Sequence, residues 1–303
     1  MNSTIISNWI GAMRLRTLPL ALAGITMGAF LAWFYGAFNL PVFILAVMTA
    51  LFLQILSNLA NDLGDSLHGA DSADRKGPSR AVQSGKITTA EMKTGISIFA
   101  LLAISTGSAL LIISPVSNIA FWSFLGLGFL AVLAAIKYTM GKKPYGYQGF
   151  GDIAVFVFFG VVAVSGSFYL QTGFYPFAVI LPSVAVGTLS VAVLNVNNIR
   201  DMESDILAGK RSLAVKLGRK NAVFYHYVLL LLAVIASVFF VYTNYHSVSQ
   251  YLFILAIPMF IRNAFAVTVY REQSQLDPYL RQMAVSTLIY VLLFGLGMYF
   301  SKS

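Results

Sequence analysis

The chain has 303 residues, of which 58% are hydrophobic and only 10% are charged, and its formal net charge is +9. A soluble domain of this length needs more solvating groups, so the composition excludes an ordinary soluble protein. The basic excess does not indicate a nucleic-acid partner, because the cytoplasmic loops of polytopic membrane proteins are enriched in Lys and Arg. The sequence has no cysteine, which excludes disulfides and zinc sites built on sulfur.

Long apolar runs predict an all-α polytopic membrane protein with about nine transmembrane helices. A transmembrane barrel would show segments of about ten alternating residues, whereas these runs approach the roughly 20 residues that a spanning helix needs. We treat 1–303 as a single domain and the first run as a retained helix, because many equally apolar runs follow it. The predicted spans are 18–36, 40–60, 94–114, 117–137, 152–171, 176–197, 221–243, 249–270 and 282–300.

The charges of the loops predict the orientation of the chain. With the N-terminus in the cytoplasm, nearly all Lys and Arg residues fall on the cytoplasmic side, and the opposite connections near 37–39, 115–116, 172–175 and 244–248 contain none. The 11 Asp and Glu residues fall at or near the same surface, although acids contribute little to orientation and could have been scattered. We therefore expect a polar site on the cytoplasmic face.

A first polar cluster closes the second predicted span. Asn58, Asn61, Asp62 and Asp65 recur at the spacings of one helical face, so two amides and two carboxylates point into the same space. Asp71 follows in the next loop. Single Asn and Asp residues near a membrane interface are often helix caps or solvated helix ends, and that interpretation stays open for individual members of the cluster.

A second cluster of the same kind closes the sixth span, about 140 residues later. Asn197, Asn198, Asp201 and Asp205 are predicted to share a face. Grouped carboxylates repel one another unless a cation joins them. Oxygen-only clusters suit Mg²⁺, which one or two carboxylates and the phosphates of a substrate commonly hold. We therefore predict Asp62, Asp65, Asp201 and Asp205 as metal ligands.

Basic residues follow each acidic cluster. Preorganised cations stabilise the negative charge that develops on a leaving pyrophosphate, although juxtamembrane bases also set topology and contact anionic lipid. Among the bases we select Arg80, Lys143 and Lys210 for this role.

The loop between the fourth and fifth spans combines glycine, aromatic and cationic residues. This composition suits a lid over a flat anionic substrate, and it is equally that of an ordinary turn. Tyr138, Lys142 and Lys143 are its candidate substrate-binding residues. Asp152 at its end is a candidate third metal ligand, a base that orients an acceptor, or a simple helix N-cap.

These segments resemble the UbiA-type superfamily of intramembrane prenyltransferases. The likeness rests on 58–74, 77–85, 141–152 and 197–218, with Arg16-Thr17-Leu18-Pro19 near the start. The order and spacing of these segments match over most of the predicted cytoplasmic face. Within the superfamily the chain is most similar to the branch that prenylates 1,4-dihydroxy-2-naphthoate in menaquinone biosynthesis.

The resemblance implies nine helices around a central prenyl-binding cavity in a bacterial cytoplasmic membrane, with Mg²⁺, a polyprenyl diphosphate and 1,4-dihydroxy-2-naphthoate as partners besides the lipid bilayer. The superfamily pattern has a further acid where this chain has Gly69, and Asp71 stands two residues later. The expected catalytic residues are Asp62, Asp65, Lys143, Asp152, Asp201 and Asp205. The expected substrate-binding residues are Asn58, Asn61, Asp71, Arg80, Tyr138, Lys142, Asn197, Asn198, Arg200 and Lys210.

Two alternatives remain at this stage. A member of the same superfamily could use another acceptor, such as 4-hydroxybenzoate, homogentisate or haem. A secondary transporter for an anionic solute is an alternative from a different class. Transporters place their polar residues near the bilayer midplane on interrupted helices, whereas the acids of this chain gather at one surface.

Overall fold

The computed structural model describes residues 3–68 and 80–302, a part of the chain that contains helices, turns and irregular segments and no strand. Nine helical segments within these ranges are long and apolar enough to cross a membrane, which confirms the predicted fold class and number of spans. Asp71 lies outside the described residues. The helices are α1 (Ser3–Met13), α2 (Leu18–Phe34), α3 (Leu40–Leu67), α4 (Thr89–Ile113), α5 (Asn118–Lys137), α6 (Gly151–Val155), α7 (Ser167–Thr172), α8 (Ile180–Arg200), α9 (Met202–Leu207), α10 (Leu213–Thr243), α11 (Ile257–Val269) and α12 (Gln273–Phe300).

Several helices begin at side chains that satisfy their first backbone N–H groups. Asn39 accepts a hydrogen bond from the third residue of α3, and Ser117 does the same at α5. Thr88 and Glu91 form a reciprocal capping box at the start of α4. These local signals fix where the membrane helices start, while their apolar faces decide how they pack.

Several helix ends differ from the predicted spans on the side that carries the polar clusters. The second predicted span ends at residue 60, whereas α3 stays helical to Leu67, so all four members of the first cluster stand on it. Helix α10 starts before the predicted span, and Gly218 with φ of +72° interrupts it there. A short helix that was not predicted, α1, precedes the first span. The polar clusters therefore stand on helical backbone that projects beyond the apolar spans.

The fifth span combines two short helices with a π-helix, Phe156–Gly166, between α6 and α7. This wider turn packs closely against its neighbours. A Cβ atom on Gly160 would lie 2.6 Å from the Cα atom of Gly187 in α8 and 2.7 Å from the carbonyl oxygen of Ser183. The absence of side chains at both glycines lets the two backbones meet.

Two groups of helices enclose the interior. The larger core joins α2, α8, α10 and α12 with the π-helix, and a second core joins α1, α3 and α4. Only Val132 of α5 is buried. Other side chains of this helix line an interior cavity, and Ile119, Trp122 and Leu130 are exposed. Such exposure is expected where lipid replaces water as the solvent.

Candidate active site

A cavity of about 930 Å³ lies between the two groups of helices. Its upper wall carries the acids of both predicted clusters, and its lower wall is apolar and reaches Leu110, Leu111 and Leu170 near the opposite ends of their helices. Along α3 the lining runs from Asp65 to Ala46, a rise of about 28 Å at about 1.5 Å per residue. The charged mouth and the apolar lower part of the cavity together therefore extend about as far as the hydrocarbon core is thick.

The carboxylates of the first cluster hold the segment that follows the undescribed residues. Asp62 accepts hydrogen bonds from the backbone N–H groups of Ala81 and Val82, both at 3.1 Å. Asp65 pairs with Arg80 at 2.6 Å between Oδ2 and Nη2. The predicted residue Arg80 is thus drawn to the acidic face of α3 by the cluster itself.

The amides of the first cluster make different contacts. The Oδ1 atom of Asn61 accepts a hydrogen bond from the Thr139 hydroxyl at 3.2 Å. Gly64 lets this loop approach α3, because a Cβ atom there would lie 2.4 Å from the Thr139 Oγ1 atom. Asn58 bonds instead to the turn before α2, through the Met13 carbonyl oxygen at 2.8 Å. All four members of the cluster line the cavity.

The second cluster also consists of paired charges. Arg200 donates to both oxygens of Asp201 at 2.8 Å and to Asp277 at 2.7 Å. The Nζ atom of Lys210 lies 3.1 Å from the Oδ1 atom of Asp205, whose Oδ2 atom is buried without a hydrogen-bond partner. Every acid in this cluster has a cation beside it, but Asp205 keeps one oxygen available.

Burial and mutual attraction set the ionisation of the Asp205–Lys210 pair. Burial raises the pKa of Asp205 to about 6, although the ammonium group of Lys210 opposes that rise. Burial alone would lower the pKa of Lys210, but attraction to Asp205, Asp65 and Asp201 outweighs it and raises the pKa. Because Asp65 acts on both groups, the two clusters face each other across the mouth of the cavity.

Tyr147 connects the two clusters. Its hydroxyl group donates to the Oδ1 atom of Asp65 at 2.8 Å, and the Lys210 ammonium lies 5.8 Å from the centre of its ring. In the sequence, Tyr147 stands in a loop of mixed composition, and it is not among the predicted site residues. Its position over the two clusters could not be read from spacing, because it depends on how the loop folds back.

The remaining members of the second cluster separate in space. Asn197 lines the cavity, but Asn198 is buried outside the lining, so the two amides do not share the predicted face. Both amides stand on α8, where consecutive residues point about 100° apart, so only one of them can face the cavity. Asn197, Asp201 and Asp205 recur every four residues and all line the cavity, although Asp205 lies on a new helix.

The predicted loop residues also divide. Tyr138 lines the cavity, where burial raises the pKa of its phenol and Asp152 adds to the effect. Asp152 is buried near Tyr225, outside the cavity lining. In the described part of the chain, no donor lies within hydrogen-bond geometry of either carboxylate oxygen of Asp152. Lys142 and Lys143 line a second, outer pocket of about 560 Å³. The structure therefore does not bring these two lysines to the acidic clusters.

Three further polar residues of the lining were not predicted as site residues. Arg14 and Arg16 frame the turn before α2 and line the cavity, as does Gln54 on α3. Arg14 has φ of +49°, a left-handed conformation that a residue with a side chain seldom adopts. The sequence marks both arginines as orientation signals, and Arg16 also belongs to a segment that carries the family resemblance. Gln54 lies within an apolar span where no motif marks it.

The donor atoms at the mouth of the cavity fit Mg²⁺. They are carboxylate and amide oxygens, the ligands that this ion prefers, and the buried Oδ2 atom of Asp205 lacks a partner. Among the described residues no three acidic or imidazole side chains converge as a complete metal site. Substrate phosphates and water would have to complete the coordination of an ion held by one or two of the carboxylates of Asp65, Asp201 and Asp205.

The fold and the site define a membrane-embedded protein that can hold an amphiphile with an anionic head and a long apolar tail. The model of the UbiA prenyltransferase family matches residues 21–299. The chain belongs to that family, and the resemblance inferred from its polar segments is confirmed.

Characterised relatives match nearly the whole chain. It is 44% identical to the 1,4-dihydroxy-2-naphthoate octaprenyltransferase of Escherichia coli strain K12 over 97% of this chain and 96% of the relative. It is 42% identical to the enzyme of the same name from Haemophilus influenzae, over 96% and 95% respectively.

Solved structures share the fold at low sequence identity. A UbiA homolog from Aeropyrum pernix K1 superposes with a TM-score of 0.67 at 16% identity, covering 97% of this chain and 98% of the other. A UbiA homolog from Archaeoglobus fulgidus bound to GPP and Mg²⁺ gives a TM-score of 0.65 at 16% identity, covering 96% and 99%.

Proposed function

We propose that this chain transfers a polyprenyl group from polyprenyl diphosphate to 1,4-dihydroxy-2-naphthoate, with loss of CO₂ and pyrophosphate, to give the reduced form of a demethylmenaquinone. One observation carries the proposal: paired acidic and basic residues cap a cavity whose lower part is apolar and reaches towards the far ends of the membrane helices. Relatives named for this activity, at 42% and 44% identity over nearly the full chain, support the naphthoate as acceptor.

The geometry suits the binding of a diphosphate at the mouth of the cavity. Arg80, Arg200 and Lys210 line it and can turn from their carboxylates towards phosphate oxygens. Mg²⁺ held by the freed carboxylates would neutralise charge on the leaving pyrophosphate. Its use here is supported by the oxygen-rich donor set and by the archaeal homolog bound to GPP and Mg²⁺.

The reaction then balances without an added oxidant or base. The allylic C–O bond breaks and its electron pair leaves with pyrophosphate, while the ring carbon that carries the carboxylate forms the new C–C bond. Loss of CO₂ returns the electron pair of the broken C–C bond to the ring and restores its aromaticity. The apolar channel keeps water from the allylic cation, which would otherwise be hydrolysed.

We also propose that the protein lies in the cytoplasmic membrane of a bacterial cell and that its site opens to the cytoplasm. The loops that carry the clusters hold most of the chain's Lys and Arg residues, and the opposite connections hold none. The anionic naphthoate would then reach the mouth of the cavity from the cytoplasm, and pyrophosphate would leave into it.

The test is a reaction of the purified protein with polyprenyl diphosphate, 1,4-dihydroxy-2-naphthoate and Mg²⁺ in detergent micelles, followed by mass. We expect a prenylated, decarboxylated naphthoquinone that EDTA abolishes, and a loss of at least about 100-fold in kcat/KM for Asp62→Ala and Asp201→Ala. Glu203→Ala, an exposed acid beside Asp201, is the matched control and should retain activity.

Other results would change the assignment. Product with 4-hydroxybenzoate and none with the naphthoate would contradict the acceptor and leave the reaction class standing. Absence of product with every acceptor in micelles, together with uptake of a solute into proteoliposomes, would contradict enzyme function. Vectorial transport needs a closed membrane and cannot occur in micelles.

A further inference from the structure

A network of hydrogen bonds in the cavity wall joins Asn58 of the first cluster to Gln54, which lies one helical turn further into the membrane on α3. Gln54 donates from Nε2 to the Thr17 hydroxyl oxygen at 3.2 Å and to the Oδ1 atom of Asn58 at 3.4 Å. Asn58 donates from Nδ2 to the Met13 carbonyl oxygen at 2.8 Å and to Thr17 at 3.0 Å. The Thr17 hydroxyl in turn donates to the carbonyl oxygen of Arg14 at 3.0 Å.

Two backbone carbonyl groups fix the direction of this network, because a carbonyl oxygen can only accept. Met13 forces the Asn58 NH₂ group towards α1, so its Oδ1 atom faces Gln54. Arg14 takes the only proton of Thr17, so that hydroxyl can only accept from Gln54. The NH₂ group of Gln54 must therefore point into the network, and a flipped amide would place two oxygens together.

The network consequently ends on an acceptor. The Oε1 atom of Gln54 is buried and has no hydrogen-bond partner in the described part of the chain, although Gln54 itself lines the cavity. A buried carbonyl oxygen without a donor costs free energy that a bound ligand can recover. The bonds from Nε2 are long, so the amide can turn slightly and present Oε1 to a ligand.

The substrates differ in what they offer to this oxygen. A polyprenyl tail has no hydrogen-bond donor, and an ionised diphosphate has only acceptors. The aromatic acceptor carries hydroxyl groups. In 1,4-dihydroxy-2-naphthoate the 1-hydroxyl lies next to the carboxylate and is engaged with it, which leaves the 4-hydroxyl as the free donor.

We propose that Gln54 binds the aromatic acceptor by accepting a hydrogen bond from its 4-hydroxyl group. This inference rests on the proposed function. Gln54 precedes Asp62 by eight residues, about 12 Å along the helix axis. The acceptor ring is therefore held on the membrane side of the acidic clusters, below the diphosphate and beside the start of the prenyl chain.

The experiment compares the wild type with Gln54→Met, which keeps the length of the side chain and removes its carbonyl. We expect KM for the naphthoate to rise roughly tenfold, while KM for polyprenyl diphosphate and the Mg²⁺ requirement stay unchanged. Gln54→Asn, which withdraws the carbonyl by one methylene, should raise the same KM and preserve the amide. As an inhibitor, 1-hydroxy-2-naphthoate lacks the 4-hydroxyl and should bind the wild type and both variants equally.

Gln282→Met is the matched control. The Nε2 atom of Gln282 donates to the Met259 carbonyl oxygen and to the Ser286 hydroxyl, and its Oε1 atom accepts from Asn263. This change should lower thermal stability and leave KM for the naphthoate unchanged.

The outcomes separate the two proposals. If the wild type turns over the naphthoate and Gln54→Met has an unchanged KM for it, the assignment of Gln54 is overturned and the function stands. If both substrate KM values and stability change together, or if the analogue discriminates between wild type and variant, Gln54 only supports the turn before α2 and the assignment is again overturned. A wild type without activity on the naphthoate overturns both.

Discussion

Each acid that faces the mouth of the cavity is paired with a base or with backbone N–H groups. Asp65 pairs with Arg80 at 2.6 Å, and both side chains are about nine-tenths buried. Removing one partner of a buried ion pair leaves an uncompensated charge, which costs far more than the pair contributes. These bases therefore have a structural task in addition to any contact with substrate.

Arg80→Met should lower the free energy of unfolding by about 3–5 kcal/mol, because it leaves the Asp65 carboxylate buried without its cation. Thermal unfolding in detergent measures this. Lys93→Met removes an exposed cation of α4 and should change stability by less than about 0.5 kcal/mol. Adding Asp65→Asn to Arg80→Met should recover much of the lost stability and no activity. If Arg80→Met were as stable as Lys93→Met, the expectation would be contradicted.

The sequence predicted individual residues well where one continuous helix carries them. Asn58, Asn61, Asp62 and Asp65 follow the helical spacing, and the structure places all four on the cavity wall. Gln54 was not predicted, because its role depends on which atoms donate and which accept in a hydrogen-bond network that includes backbone carbonyl groups. Such a network has no pattern in the sequence.

At the scale of elements, the π-helix of the fifth span depends on close contact with α8. A Cβ atom on Gly160 would meet backbone atoms of α8 at 2.6 and 2.7 Å, and backbone cannot rotate away as a side chain can. The same span supplies Phe158, Phe159 and Val162 to the cavity wall. A shift of this span therefore alters both stability and the shape of the apolar channel.

Gly160→Ala should destabilise the protein by about 1–3 kcal/mol, because it overpacks this contact. The midpoint of thermal unfolding tests this. Gly126→Ala in α5 is the matched control: nothing lies within 4 Å of its Cβ position, so the better helix propensity of alanine should leave stability unchanged or slightly higher. A neutral Gly160→Ala would show that the two helices can move apart.

The number and order of the spans could be predicted because apolar length is a strong signal. The break between α8 and α9 could not, because the residues around it have no proline or glycine to mark it. Asn198, predicted on the cavity face, lies elsewhere for another reason: it directly follows Asn197 on α8, and neighbouring residues of a helix do not share a face. The π-helix was equally hidden, since its apolar sequence resembles that of any other span.

At the scale of the whole molecule, the charge asymmetry predicts which side each loop occupies. The chain has no cysteine, so single cysteines report their own position. In intact cells, a membrane-impermeant maleimide should label Tyr245→Cys on the side opposite the clusters and leave Lys220→Cys unlabelled until the cells are opened. Both positions are exposed. Labelling of Lys220→Cys in intact cells would reverse the proposed orientation.

The pairing of acids with bases at the mouth of the cavity has a thermodynamic consequence. An ion that takes Asp65 or Asp205 sets free Arg80 or Lys210, and a diphosphate that takes those bases sets free the acids. Each ligand thus removes the competitor of the other, so their affinities are positively cooperative. Since coupling between two ligands is reciprocal, the factor by which the metal tightens the diphosphate equals the factor by which the diphosphate tightens the metal. Only when both are bound do the acids and the bases all have a partner, so the site is electrostatically complete with the pair and incomplete with either ligand alone.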